Sequence, residues 1–296
     1  MKLGFVGAGN MGNPMALNLI KAGHQLKVHD LRRGAATNLL EAGATWANSP
    51  KEASEGAEVV FTSLPGPKEV EAVALGEVGI LEGATAGSIY VDLSTNSPTA
   101  IRRIHDSLQA GGITVLDAPV SGGVYGAAAA TLSVMVGGDE EAYRQVKPVL
   151  DAIGSNVFYC GPIGNGMVCK ICNNLLSAGA AYLLAESLTM GVKAGVELKT
   201  LVDVIIKSTG NSRRLEERMP RFLFKGNFEP GFAAALGAKD VRLATDMGRE
   251  LGLPMELSNL IDQMCVEVLA RGWGDKDWDI LAVLQEEKAG IQLRIP

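Results

Sequence analysis

The chain opens on a unit that leaves it little choice of fold. Residues 2–6 form a short apolar run, and Gly7-Ala8-Gly9-Asn10-Met11-Gly12 follows it directly as a GxGxxG loop. The next apolar pattern, over 13–22, carries Pro14 in its first turn, where a helix tolerates proline, and Gly23 just past its end. A second strand pattern over 25–29 ends at Asp30, about 20 residues beyond the glycines, as a dinucleotide fingerprint requires. Each glycine has its own reason. Gly7 allows a tight turn, Gly9 lets the backbone approach a pyrophosphate, and Gly12 lets helix and strand pack closely. The helix N-terminus then faces the phosphates, which makes Gly7, Gly9, Asn10, Met11 and Gly12 candidate cofactor contacts. Asp30 can accept hydrogen bonds from both adenosine ribose hydroxyls and would repel a 2′-phosphate, which favours NAD. Arg32 and Arg33 follow at once and suit a phosphate, so NADP stays open. A GxGxxG alone is weak evidence; the ordered strand, loop, helix, strand and acidic end make it specific.

The pattern continues through residue 159. Strand-like runs occupy 59–63, 89–92, 112–116, 132–136 and 156–159. Several end in polar or turn-rich loops: Leu64-Pro65-Gly66-Pro67, Leu93-Ser94-Thr95-Asn96 and Asp117-Ala118-Pro119-Val120-Ser121-Gly122-Gly123. In a doubly wound sheet such loops sit at the carboxyl ends of strands, where ligands bind. Asp139 can cap a helix reaching about residue 153. This alternation predicts an α/β Rossmann-type domain with a largely parallel sheet.

The stretch from Gly161 to Gly195 holds one long helical pattern with no proline after Pro162. Small residues at 177–181 predict that another helix packs closely there. Leu176, Leu183 and Met190 recur every seven residues beside Leu184, and the whole reads as a buried helix. Lys170 and Asn174 lie four apart near its start, on one face. A lysine buried at that end is easier to deprotonate, because desolvation and the positive helix end both disfavour the ammonium. Such an amine can exchange a proton with an alcohol or carbonyl; a lysine with its amine in water is the plain alternative. Beyond Gly195 only helical spacing remains, over 198–207, 212–219, 232–251, 256–270 and 277–286. The long helix therefore joins two domains, 1–162 for the dinucleotide and 163–296 all-helical for substrate and dimerisation, and clefts between domains are common ligand sites.

Composition limits the partners. At 296 residues, 47% hydrophobic and 20% charged, the chain fits a well-cored protein of about two domains. A net charge of −6 without a basic block offers nothing to nucleic acid or a membrane surface. No uninterrupted apolar run long enough for a membrane span stands out, and no signal-peptide pattern precedes the first strand, so a cytoplasmic protein is expected. Cys169 and Cys172 form a CxxC around Lys170. No second CxxC follows, so no metal is expected, and within a helix the two read as small buried apolar side chains. Arg213, Arg214, Glu216, Glu217 and Arg218 read as a solvated charged face, and Trp273 and Trp278 as packing anchors.

Five stretches together match one family: the loop at 7–12, the segment 117–123, a GxGxxxKxxxN pattern from Gly164 through Lys170 to Asn174, Gly231-Phe232 and Lys239-Asp240. The chain resembles the β-hydroxyacid dehydrogenases, which include 3-hydroxyisobutyrate dehydrogenase and 2-hydroxy-3-oxopropionate (tartronate semialdehyde) reductase. Residues 170–174 and 272–278 look most like the hydroxyisobutyrate branch, and residues 132–138 like the semialdehyde reductase branch. The resemblance implies an oxidoreductase that interconverts a small 3-hydroxy acid and its semialdehyde. It implies Lys170 as general acid/base, Asn174 orienting the substrate, and Ser121, Gly122 and Gly123 binding its carboxylate. Thr95 then lies near the nicotinamide, Leu64 and Pro65 border the cofactor, Lys239 reaches it from the second domain, and a homodimer or homotetramer is expected. Glu69 departs from the asparagine often found there, so that contact is not carried over. The alternatives are a related hydroxymethyl- or sulfo-substituted acid dehydrogenase and, from another class, a non-catalytic dinucleotide-binding module. The intact Lys170/Asn174 pair argues against the last.

Overall fold

The computed structural model describes residues 1–295 and divides into two compact units, residues 1–170 and 171–296. In the first unit a sheet of nine strands is wound by helices. The strands are β1 (Lys2–Val6), β2 (Gln25–His29), β3 (Thr45–Trp46), β4 (Val59–Thr62), β5 (Ile89–Asp92), β6 (Thr114–Asp117), β7 (Val120–Ser121), β8 (Ser133–Gly138) and β9 (Asn156–Gly161). Their order is β3-β2-β1-β4-β5-β6-β8-β7, with β9 paired to β8. From β3 to β6 every pairing is parallel; β8 runs antiparallel to β6 and β7, and β9 is parallel to β8. The helices between them are α1 (Gly12–Lys21), α2 (Thr37–Glu41), α3 (Pro50–Ser54), α4 (Pro67–Leu75), α5 (Pro98–Ala110), α6 (Gly123–Ala128) and α7 (Glu140–Leu150).

The strand sequences explain this layering. β4 and β5 are buried at every residue, as a parallel sheet covered on both faces demands. Their side chains alternate between two cores. Val59, Phe61, Ile89 and Val91 join Met15, Leu19 and Val146 on one face, while Val60 and Tyr90 join Val70, Ile101, Ile104 and Leu108 on the other. α5 starts where Ser97 accepts the Ala100 N–H and Pro98 takes the first helical position. Asp139 accepts the Ala142 N–H and caps α7, as its place in the sequence predicts. The α/β Rossmann architecture thus matches expectation. The shorter β3 and β7 lacked a visible period, and the predicted strands at 112–116 and 132–136 move by one or two residues toward their carboxyl ends.

α8 (Asn165–Lys193) starts in the first unit and continues into the second, followed by α9 (Leu198–Ile206), α10 (Ala234–Glu250), α11 (Glu256–Ala270) and α12 (Leu281–Ala289). The predicted helix at 212–219 contracts to a π-helical turn, Arg214–Arg218, and 277–286 divides into a 3-10 turn, Trp278–Ile280, and α12. In the helical unit the small middle of α8 does meet another helix: Ala178 and Tyr182 pack with Val241 of α10 and Ile261 and Cys265 of α11. Trp278 anchors the same core, lying so close to Gly237 that a Cβ there would fall 2.1 Å from the indole.

Three expectations fail here. Leu176, Leu183 and Met190 are 76%, 65% and 70% exposed; the buried row of α8 is instead Ala178, Tyr182, Ala185 and Leu188. The helix is apolar nearly all round, so its seven-residue spacing could not say which side the core would cover. The same property makes α8 long and apolar enough by composition to cross a bilayer, although part of it packs within the helical core. Cys169 and Cys172 are exposed rather than buried. Arg214 is no solvated residue: its guanidinium is buried against Asp279 and also donates to the Ser177 carbonyl at 3.0 Å. Arg213, its neighbour, is exposed and pairs with Glu217.

Candidate functional site

The carboxyl ends of β1, β2, β4, β5 and β6 carry the predicted residues of the first unit side by side. At β1, Gly7 has φ +97° and a Cβ would fall 2.3 Å from the Ser63 carbonyl oxygen, so only glycine makes this turn. A Cβ on Gly12 would fall 1.9 Å from the Gly7 carbonyl oxygen, while one on Gly9 would meet nothing within 4 Å. The three glycines therefore divide as their spacing implies: two serve close packing and the middle one borders open space. Asp30, at the end of β2, holds the loop in place. Its Oδ2 accepts the Ala8 N–H and its Oδ1 the Arg32 N–H, both at 2.8 Å. Arg33 is turned onto the Trp46 ring, 5.3 Å from its centroid. Asn10 and Met11 sit at the rim, with α1 starting at Gly12 without a side-chain cap. An uncapped helix start beside a glycine that leaves room for a phosphate fits a dinucleotide.

Next along the sheet, Asp92 and Asp117 face each other in register at the ends of β5 and β6, both fully buried. Asp92 organises two loops. Its Oδ1 accepts from Thr62 Oγ1 at 2.9 Å and the Ser94 N–H at 3.0 Å, and its Oδ2 from Asn96 Nδ2 at 3.3 Å. Ser94 Oγ in turn accepts the Leu64 N–H at 2.9 Å. Half-buried Thr95 and the Leu64-Pro65 corner are thereby fixed through one carboxylate. Burial pushes the Asp92 carboxyl above its ordinary range against these hydrogen bonds. Asp117 is pushed up to about 6, chiefly by burial, against the N–H groups of Gly164 and Met167 and with the Asp92 charge adding to the rise.

Four residues beyond the end of β6, Ser121 is half-buried, and Gly122 (φ +136°) and Gly123 (φ +64°) take backbone conformations open to glycine. Lys170 lies on the second turn of α8 and is 8% exposed, so of the two readings for this lysine the buried one holds. Asn174 follows one turn later. In the helical unit Asn174 Nδ2 donates to Asp240 Oδ2 at 2.6 Å, Asn173 Nδ2 donates to Asn174 Oδ1 at 3.1 Å, and Lys239 Nζ pairs with Asp240 Oδ1 at 2.9 Å. Buried Asp240 thus holds both predicted residues of that unit, Asn174 and Lys239. Neither Asp92 nor Asp240 received a task from the sequence, although Asp240 stands in the Lys239-Asp240 pair. Among the described residues no group of three metal-ligating side chains occurs. Cys160, at the end of β9, has its thiol pushed up to about 12, chiefly by burial, with the neighbouring Cys169 adding to the rise.

A glycine loop of dinucleotide-binding shape and a buried lysine fit a nicotinamide-dependent oxidoreductase. Residues 2–161 match the family model for the NAD binding domain of 6-phosphogluconate dehydrogenase, and residues 164–285 the model described as NAD-binding of NADP-dependent 3-hydroxyisobutyrate dehydrogenase. The chain is 37% identical over 295 residues to the NAD-dependent L-serine dehydrogenase of Pseudomonas aeruginosa, covering 98% of this chain and 99% of that one. It is 42% identical over 248 residues to the 3-hydroxyisobutyrate dehydrogenase of the same organism, covering 82% and 83%. A solved structure of Mycobacterium tuberculosis 3-hydroxyisobutyrate dehydrogenase with L-serine superposes with a TM-score of 0.88 at 34% identity, over 96% and 98% of the chains. The chain belongs to the β-hydroxyacid dehydrogenase family. It is a nicotinamide-dinucleotide-dependent dehydrogenase acting on the CH–OH group of a small hydroxy acid.

Proposed function

We propose that the protein interconverts a small 3-hydroxy acid and its semialdehyde with NAD, and that Lys170 is the general acid/base. The observation that carries this reading is Lys170 itself, a lysine only 8% exposed on the second turn of α8, one helical turn from Asn174. In oxidation the Lys170 amine takes the substrate hydroxyl proton, and in reduction it returns that proton to the carbonyl oxygen. The nicotinamide supplies the hydride acceptor at its C4. Ser121, Gly122 and Gly123 hold the substrate carboxylate, and Asn174, its amide fixed by Asp240 and Asn173, orients the hydroxyl. Gly7, Gly9, Asn10, Met11 and Gly12 receive the pyrophosphate, Asp30 the ribose, and Leu64, Pro65, Thr95 and Lys239 the rest of the cofactor. On this reading residues 1–162 serve the cofactor and 163–296 the substrate and self-association. The exposed row Leu176, Leu183 and Met190 on α8 supports a homodimer or homotetramer, which light scattering tests.

A second reading is reduction of 2-hydroxy-3-oxopropionate, favoured by residues 132–138. A screen over hydroxyisobutyrate, serine, glycerate and hydroxymethylglutarate with both cofactors separates the two. Lys170→Ala tests the chemistry. Turnover is expected to fall by roughly 10²–10⁴-fold, the usual contribution of general acid–base catalysis, with dinucleotide affinity kept. Lys170→Arg is expected to restore little, because a guanidinium is a poor proton acceptor. Near-parental kcat in the Ala variant would show that the proton goes elsewhere.

A further inference from the structure

We infer that Asp117 is a positioning residue, acting through Lys170: it ties the first turn of α8 to the end of β6 and so fixes where the lysine amine stands relative to the Ser121–Gly123 loop. The inference rests on the roles proposed above for Lys170 and that loop.

The geometry is a helix cap supplied from far along the chain. Asp117 Oδ1 accepts the Gly164 N–H and its Oδ2 the Met167 N–H, each at 2.7 Å, across 47 and 50 residues. Met167 is the third residue of α8, so its N–H is one of those a helix start leaves without an intrahelical partner. Lys170 follows one turn on, so the cap fixes the stretch of helix backbone from which its side chain springs. The Met167 side chain is itself packed in the core beneath α5 and accepts the Asn96 N–H at 3.4 Å.

The surroundings are shaped for this carboxylate. A Cβ on Gly137 would fall 2.4 Å from Asp117 Oδ1, and one on Gly166 would fall 2.8 Å from Oδ2. Both flanking positions need glycine for α8 to approach β6 and β8 so closely. Asp117 also opens the segment that leads through Ala118 and Pro119 to Ser121, Gly122 and Gly123. One side chain thereby links the substrate-carboxylate loop to the start of the lysine helix. A displacement of about 1 Å between reacting groups can cost on the order of 10²-fold in rate, so a cap of this kind bears directly on turnover. The groups that face Asp117 are the Asp92 carboxyl, the Cys160 thiol and the two backbone amides.

The experiment is a double-mutant cycle on the full-length protein. Asp117→Asn keeps the shape but turns an NH2 toward one of the two backbone N–H groups. It is expected to lower kcat roughly 10- to 100-fold, with dinucleotide Kd within about twofold, because the cofactor loop does not touch it. In the Lys170→Ala background the same change is expected to cost less than about threefold, since the residue it positions is gone. An equal loss in both backgrounds, or none in the parent, overturns the inference. Parental activity in Lys170→Ala alone instead overturns the general acid/base reading, which keeps the two failures apart. Asp117→Ser, which removes the buried charge and keeps one acceptor, gives the same readout where the Asn variant does not fold.

Discussion

Gly9→Ala and Gly12→Ala make a matched pair, two residues of one loop with opposite expected effects. Gly9 lies outside the left-handed region, and a Cβ there meets no protein atom within 4 Å. The substitution therefore leaves the fold alone, or stabilises it by roughly 0.4–1 kcal/mol through the unfolded chain. The methyl instead occupies the space through which a pyrophosphate reaches the loop backbone. Losing one hydrogen bond to a charged phosphate costs about 1.5–3 kcal/mol, which raises Kd for NADH roughly 10- to 100-fold. At Gly12 the Cβ would stand 1.9 Å from the Gly7 carbonyl oxygen, and a backbone atom cannot swing aside. Overpacking of this kind costs roughly 1–3 kcal/mol. Urea denaturation reads the first quantity and NADH fluorescence titration the second. A Gly9→Ala protein that binds NADH within twofold of the parent would show that the loop does not face the pyrophosphate. A fully stable Gly12→Ala protein would refute the packing argument.

Three further outcomes are expected. From Asp30, kcat/KM is higher with NAD than with NADP; equal or better use of NADP would mean that Arg32 or Arg33 governs the choice. Replacing Cys169 and Cys172 together by Ser keeps most activity, because proton transfer is assigned to Lys170; loss of activity in folded protein would assign the thiols a part in turnover. Burial raises the Asp117 carboxyl from 3.8 to about 6, so the folded chain holds a proton there that the unfolded chain releases. Its contribution to stability is then fullest below about pH 4 and is lost as pH rises through 6, a change of roughly 3 kcal/mol. Against Asp117→Asn, which does not titrate, the parent is expected to lose about that much stability between pH 4 and pH 7; a constant difference in urea midpoints would refute the assignment.

What the sequence revealed depends on how far apart the cooperating residues stand. Gly7, Gly9, Gly12 and Asp30 lie within one strand-helix-strand unit, so spacing alone exposes the cradle and the reason for each glycine. Lys170 and Asn174 share a helix, so their common face was equally plain. The Asp117 cap joins positions about 50 residues apart, and no local period records such a contact; the only trace was an aspartate at the head of a glycine-rich segment. Asp240 was hidden in the same way, since its tie to Asn174 spans 66 residues. The misread features have a different cause. Apolar residues at 176, 183 and 190 reveal a stripe but not whether the core or a partner covers it, because burial and association draw on the same hydrophobic effect. Arg214 sat in a run of charges, and only the arrival of Asp279 from 65 residues away takes it into the interior. A charge run is solvated unless a distant opposite charge meets it, and that condition lies in the fold rather than in the run.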